Sequence, residues 1–524
     1  MSKPNIVVIM ADQLKASAIG LYGNEACPTP HLQELAQAGV AYEHAITPHP
    51  LCVPARVAFW TGKYPHETGA RRNETLMPRG YDHGFRRLKG LGYHCALIGK
   101  NHCFQERDYE DVFDTWLELG HFGAVDNGWH KGDWGVDIEA LRALHDDQLG
   151  GFDGPDRHLQ CFAPDCSDDE HTTGAAATAA ASFIEKQSAT NAPFALWLSF
   201  PAPHEPYIVP KRYYDRIDPA GITLPDLPAS WPEGTPARTQ TLYRMLNASG
   251  REQALRDCVR TYLANALFID EAVGRVREAL SKAGQLENTI LVFCADHGDF
   301  AGEFNMMVKG GCFYDCLTRV PLVISWPGHV PAGVRDRDPA NLIDVLPTLF
   351  ELIGEQGPTG MSGVPLMPAG GGATPGGVTN PGGVTNPGGV TNPGGATTPG
   401  GATPAAGRRV ATFSEYGAGM RLMPQAVAER VLAESAGMDA VMQTLRWREA
   451  EGRRKMVRTV RYKYVYDPMD PIDELYDLEK DPREFINLAA DTAYAAIKDE
   501  LRAMLLDWSI ATEGSTPVPF PEEL

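Results

Sequence analysis

The run N-I-V-V-I-M-A-D at residues 5–12 decides how the rest of the chain is read. It is continuously apolar, too short to cross a membrane, and ends on an acid, the pattern of a strand buried on both faces of a parallel sheet. Similar runs follow as CALIGK (95–100), FALWLSF (194–200), TILVFCAD (289–296) and VPLVISW (320–326). Helical patterns lie between them, among them TPHLQELAQAG (29–39) and YLANALFIDEAVGRVREALSKAG (262–284). Alternating strands and helices predict a layered α/β domain with mostly parallel strands. Ligands in such sheets collect outside the carboxyl ends of the strands, which singles out Asp12, Lys100 and Asp296.

The chain has 524 residues, 43% of them hydrophobic, enough for a large core. Its net charge of -20 argues against a nucleic acid or an anionic membrane as partner, because both need basic surface. An anionic substrate therefore requires a locally cationic site. The start, MSKPNIVVIMADQ, shows neither a basic leader nor a small-residue cleavage site, and the ten cysteines have no paired spacing. The expectation is a cytoplasmic protein with free thiols, in which the Asn-x-Ser/Thr sequences at Asn73 and Asn247 carry no meaning. Homo-oligomerisation is left open.

Residues 370–406 form a Gly/Pro/Thr/Asn-rich hexapeptide repeat with nothing to build a core from, expected to be a flexible loop. Glycine does not recur every third residue, which excludes collagen. After it, RRVATFSEYG, KMVRTVRYKYVYD and DELYDLEKDPREFINLA predict a few antiparallel strands, and AYAAIKDELRAMLLDWSIAT a closing helix. The expected division is a catalytic α/β domain over 1–369, the repeat over 370–406, and a smaller α+β domain with a short antiparallel sheet over 407–524.

At two strand ends stand Asp12 with Gln13 and Asp296 with His297. Hard oxygen donors with one imidazole suit Ca²⁺, Mg²⁺ or Mn²⁺ better than a structural zinc. Taken singly each has an ordinary explanation, Asp12 as a helix cap and His297 as a turn histidine. Cationic groups join them. Lys100 and His102 follow one strand, His204 sits between prolines after another, and Lys309 lies in a glycine-flanked loop. A lone lysine or histidine is usually a solvated surface group; four of them at strand ends and in a neighbouring loop are harder to set aside.

The stretch TPHPLCVPARVAFWTGKYP (47–65) places Cys52 among prolines, with Arg56 four residues on. A thiolate phosphatase loop needs its arginine six positions after the cysteine, where this chain has Ala58.

Cys52-Val53-Pro54-Ala55-Arg56 with Thr61-Gly62-Lys63 resembles the signature of the type I sulfatases of the alkaline phosphatase superfamily. KPNIVVIMADQ, TPHLQELAQAGVAYEHAIT, GKNH, PAPHEPY, DHGD, RVPLVISWPG, RYKYVYD and ELYDLEKDPREFINLA match that family in order along the chain. The resemblance implies an alkaline phosphatase-like fold with a large mixed, mostly parallel central sheet. It implies that a formylglycine-generating enzyme oxidises Cys52 to formylglycine, whose hydrate attacks sulfur through one oxygen and expels sulfate through the other. It implies one divalent ion on Asp12, Gln13, Asp296 and His297, shared with residue 52. Arg56 and Lys100 are expected to hold the diol, and Lys100 and Lys309 the sulfate. His204 is expected to protonate the leaving group, with Lys309, and His102 to act as the base for collapse.

Many sulfatases carry Asp-Asp and Asp-Asn where this chain has Asp12-Gln13 and Asp296-His297, a variant similar to the choline sulfatase and phosphonate monoester hydrolase branch. The neutral Gln13 weakens the preference for Ca²⁺ and favours Mn²⁺. The leading expectation is a sulfatase acting on a small sulfate monoester. The second is a phosphonate monoester hydrolase or phosphodiesterase with the same machinery, and the third a non-catalytic anion-binding protein with unconverted Cys52. FDTWLELGHFGAVDNGWHKGDWG (113–135) is expected to line the pocket, and Glu415 to reach its rim.

Overall fold

A computed structural model describes residues 3–105, 109–121, 123–124, 130–132, 134–137, 141, 152–190, 192–224, 234–366, 409–421 and 423–513. The repeat read at 370–406 lies outside them.

Eight strands form most of the main sheet: β1 (Asn5–Asp12), β2 (Gly39–Ile46), β3 (His94–Gly99), β4 (Thr115–Gly120), β5 (Phe194–Pro203), β6 (Thr289–Ala295), β7 (Leu322–Ser325) and β8 (Val334–Asn341). Their order is β8-β2-β7-β6-β1-β5-β3-β4, and two short strands, Gly123–Ala124 and His130–Lys131, pair with β4. The parallel expectation is met by β1, β3, β5 and β6, but β7 is antiparallel to both β6 and β2. A short, wholly buried apolar run has no polar face to reveal its direction.

Every residue of β1 is buried, which is why its sequence runs apolar without alternation. The pairing of Ala11 with Ala295 sets Asp12 beside Asp296 at the carboxyl end of the sheet, and the β1–β5 register shifts between Ala11 and Asp12. Helices α1 (Pro30–Gln37), α3 (Thr172–Ser188) and α4 (Glu252–Lys282) pack together against the sheet. Helix α2 (Cys52–Thr61) packs with the segment 342–352 that follows β8.

The carboxyl-terminal part folds as predicted into an antiparallel sheet, β9 (Thr412–Tyr416), β10 (Arg454–Arg458), β11 (Tyr462–Tyr466) and β12 (Glu474–Asp477), covered by α5 (Ala495–Ala511). Ala58, Tyr64 and Ile343 share one apolar cluster with Phe413, Tyr464 and Trp508, so this sheet presses on the back of α2. Among the described residues no helix is long and apolar enough to cross a membrane, and all ten cysteines are free.

Candidate active site

The signature around Cys52 is a helix start. Leu51 is extended and Cys52 is the first residue of α2. Pro54 falls in the first turn, where its missing N–H breaks no helical bond. Residues four apart share a helix face, so Cys52 and Arg56 project together. Gly62 closes the helix at φ 66°, a left-handed conformation that favours glycine, and donates to the Ala58 carbonyl. Cys-x-Pro-x-Arg with Thr-Gly is thus one capped helix, aiming its amino end and two functional side chains at the sheet edge. The site places Gly99 under a similar demand: at φ 97° it runs so close to the Ser199 carbonyl that an added Cβ would lie 1.9 Å away. That approach seats Lys100, whose N–H donates to the same carbonyl.

Cys52 is 2% exposed. Its Sγ lies 3.2 Å from His297 Nε2, 3.6 Å from Asp12 Oδ1 and 3.5 Å from Lys100 Nζ. Burial, followed by the Asp12 charge, pushes its thiol up to about 12. Arg56 is held on three sides: Nε donates to Asp296 Oδ2 at 2.8 Å, and Nη1 to the Ser199 hydroxyl at 2.7 Å and to the Lys100 carbonyl. Its buried Nη2 makes no hydrogen bond and lies 3.7 Å from Asp12 Oδ2, which also pairs with Lys100. Burial opposes the charge on Asp12, but Lys100, His204 and Arg56 outweigh it and hold this carboxyl well below its ordinary range.

Asp12, Cys52, Asp296 and His297 bring one ligand atom each within 4.8 Å of one another, all of them buried. The Nδ1 of His297 stands 2.9 Å from the Gly298 carbonyl, a contact only an N–H satisfies, so the lone pair of Nε2 faces Asp12 Oδ1 and Asp296 Oδ1, each 3.8 Å away. Two buried carboxylates and an imidazole nitrogen with its lone pair toward them, 3.2 Å from Cys52 Sγ, fit a divalent cation. Gln13 flanks this set with φ 67°, its N–H on Asp296 Oδ1 and its Oε1 accepting from Lys309 Nζ. Burial opposes the charge on Lys309, yet Cys52, Glu205 and Asp12 around it hold the ammonium above the ordinary lysine value.

His204 accepts from Lys309 at Nε2, 2.7 Å, and its Nδ1–H donates to the Glu205 carbonyl. Burial, His121 and Lys309 lower it well below the usual imidazole range. His102 lies at the outer side of the site: its side chain is exposed, its backbone is at φ 41°, its ring centre is 5.9 Å from that of His121, and burial with the Lys100 charge lowers it well below the usual imidazole range. Among the described residues no hydrogen bond joins His102 to Cys52 or Lys100.

His121 is the site residue that sequence reasoning missed by name, although it belongs to the stretch expected to line the pocket. It follows β4, reaches Asp12 Oδ2 at 3.6 Å and stacks on His204 at 3.8 Å. Asp12, His121 and His204 form a second constellation with metal-ligand spacing, but Lys100 and Lys309 already bring their ammonium groups to its atoms. Asp299 and Glu205 were missed too; both accept from the Gln13 amide. Glu415 does not reach the rim: it is buried, and its Oε1 accepts from the backbone and Nδ1 of His66.

Buried cations around a helix-borne cysteine beside a cation-ligand set define a hydrolase of anionic esters in the alkaline phosphatase-like class. A family profile described as Sulfatase spans residues 4–355, and the chain belongs to that family. It is 29% identical to an arylsulfatase of Clostridium perfringens over 70% of this chain and 78% of that one. It is 27% identical to a choline-sulfatase of Rhizobium meliloti, over 93% and 82% of the two chains. Among solved structures, the phosphonate monoester hydrolase of Agrobacterium radiobacter shares the fold with a TM-score of 0.66 at 23% identity, over 97% of this chain and 96% of that one.

Proposed function

We propose that the chain hydrolyses a small sulfate monoester to alcohol and inorganic sulfate, with Cys52 converted to formylglycine by a formylglycine-generating enzyme. The observation that carries this is the contact of Lys100 with residue 52 at the amino end of α2, beside Asp12, Asp296 and His297, with Arg56 paired to the two carboxylates and the Lys309 charge acting on residue 52. When present, a divalent ion on Asp12, Gln13, Asp296 and His297 supplies Lewis-acid polarisation, and the hydrated aldehyde supplies the oxygen nucleophile.

The chain's own residues do the rest. Arg56, locked by Asp296 and Ser199, keeps residue 52 facing the cation ligands. Lys100 and Lys309 bind the terminal sulfate oxygens and neutralise charge that develops on them. The helix amino end adds a favourable field for an anion. The His204–Lys309 pair serves the departing alcohol oxygen: with Nδ1–H on the Glu205 carbonyl and Nε2 accepting from Lys309, the imidazole orients the ammonium, and the proton the oxygen takes up comes from Lys309. Of the candidate ions we favour Mn²⁺ over Ca²⁺, because one ligand is an imidazole and another a neutral amide. The free, mostly buried thiols support a reducing, cytoplasmic setting.

The test is sulfate release from 4-nitrophenyl sulfate by purified, converted, metal-loaded protein. Turnover should vanish in Cys52→Ala, and a wild-type protein that releases no sulfate from any of a panel of sulfate monoesters refutes the reading. The second reading, a phosphonate monoester hydrolase or phosphodiesterase, draws on the Gln13 and His297 pair.

A further inference from the structure

The side-chain amide of Gln13 is held by two carboxylates. Its Nε2 donates to Asp299 Oδ2 at 2.5 Å and to Glu205 Oε2 at 2.9 Å, which uses both of its hydrogens. Its Oε1 accepts from Lys309. A flipped amide would turn its oxygen onto the two carboxylates and its nitrogen onto an ammonium, so only one orientation is compatible with these neighbours. Asp299 is in turn fixed by the Tyr207 hydroxyl at 2.9 Å on Oδ2 and by the Ala301 N–H on Oδ1, and it is fully buried. The Gln13 backbone is pinned as well, through its N–H to Asp296 and through its carbonyl, which accepts from Tyr262.

We infer that Asp299, assisted by Glu205, is a positioning residue: it holds the Gln13 amide in one orientation, its carbonyl oxygen on Lys309 and away from the two carboxylates, the orientation in which that oxygen is the atom offered to a cation, and it keeps behind the amide the negative charge that an aspartate at position 13 would carry. This rests on the proposed cation site. It accounts for a neutral amide among the ligands. A carboxylate at 13 would face Asp299 and Glu205 as a third like charge in a buried space. Groups behind the ligands of a metal commonly change its affinity 10–100-fold.

The test compares Gln13→Glu, Asp299→Asn and the double variant by calorimetric titration of chelator-treated full-length protein with Mn²⁺ and with Ca²⁺, alongside Tm without added ion. If Gln13 were simply one ligand among others, Gln13→Glu would tighten binding by adding charge. The expected result is weaker binding in each single variant, roughly 10-fold or more, and a return toward wild type in the double, where the amide introduced by Asp299→Asn can donate to the new carboxylate. Gln13→Glu binding as tightly as wild type, or a double variant no better than either single one, overturns the inference. Should Asp299→Asn not fold, a folded, ion-binding double variant supports the coupling and an unfolded one overturns it. Wild-type protein that takes up neither ion removes the cation site itself, and this inference with it; wild-type uptake without rescue removes the inference alone.

Discussion

The imidazole of His121 lies on that of His204, ring centres 3.8 Å apart and planes 27° from parallel. Two protonated rings at that separation would repel, so a proton on one excludes it from the other. The stacked ring of His121 also holds the His204 imidazole in place, so removing it costs His204 its orientation even as it raises its proton affinity. His121→Ala should lower kcat/KM for alkyl sulfates, whose leaving oxygen needs protonation, by about 10- to 100-fold, and for 4-nitrophenyl sulfate much less. Burial and His121 are the main depressors of His204, so the variant should also move the group's pH dependence upward. Equal losses on both substrates with an unmoved pH profile would show a merely structural role.

Residue 52 is the second target. Tryptic mass spectrometry of protein made beside the converting enzyme should find position 52 as the aldehyde or its hydrate. Cys52→Ala should abolish turnover while Tm stays within a few degrees, because the side chain faces the polar site rather than the apolar core. A free thiol in fully active protein contradicts the mechanism.

Arg56 joins both carboxylate ligands to α2. Arg56→Ala leaves Asp296 and Asp12 without their buried guanidinium partner, so it should cost about 3–5 kcal/mol of stability, read as a lowered midpoint in urea. Arg56→Lys keeps the charge but cannot satisfy Asp296, Ser199 and the Lys100 carbonyl together. It should recover much of the stability and little of the kcat. Full activity in the lysine variant would mean that the fork geometry is not used.

Glu415 ties β9 to the turn after α2 through His66, which also reaches Thr512. Burial alone would raise its carboxyl; His66, with Lys455 and Arg71, outweighs this and brings it down to about 2. A depressed carboxyl contributes stability above its unfolded value and loses it as pH falls through the folded one. Glu415→Gln should therefore be less stable than wild type by about 2–3 kcal/mol at pH 7, with the gap closing between about pH 4.5 and pH 2. A gap that stays constant across that range in urea titrations would rule out the ion pair as its source.

Much of this site is legible in the sequence because parallel strands deliver their last residues to one edge. Asp12, Lys100 and Asp296 can be picked out from the strand ends alone. What stays hidden depends on tertiary neighbours. His121 reaches Asp12 only because β4 pairs with β3. Asp299 stands in plain view in DHGD, yet its bond to Gln13 follows from the backbone turn after β6. Helix α3 gives no amphipathic signal, since its small residues are buried on most sides. Strand β2 is interrupted by Glu43 and His44 and lies directly after the helical pattern that draws attention first.

The choice between sulfate and phosphonate turns on counting oxygens. A sulfate monoester presents three terminal oxygens with one negative charge, whereas a phosphonate monoester or phosphodiester replaces one of them with a carbon or an ester group. Arg56 is saturated by Asp296, Ser199 and a carbonyl except at Nη2, so the remaining donors are Lys100 and Lys309. Lys100 pairs with Asp12, and Lys309 with Gln13 Oε1 and His204 Nε2. Two ammonium groups beside residues that would hold a cation would offer one partner to each of three sulfate oxygens; a diester would leave one of those partners facing an alkyl group. On an aryl series with a single leaving group, kcat/KM should rank the sulfate above the phosphonate monoester and the phosphodiester. Lys100→Ala should depress the sulfate reaction more than the diester one, because it removes the donor that only sulfate uses fully. A phosphonate monoester preferred by a wide margin, with Lys100→Ala affecting both alike, would reverse the assignment and make the chain a phosphonate hydrolase built on a sulfatase site.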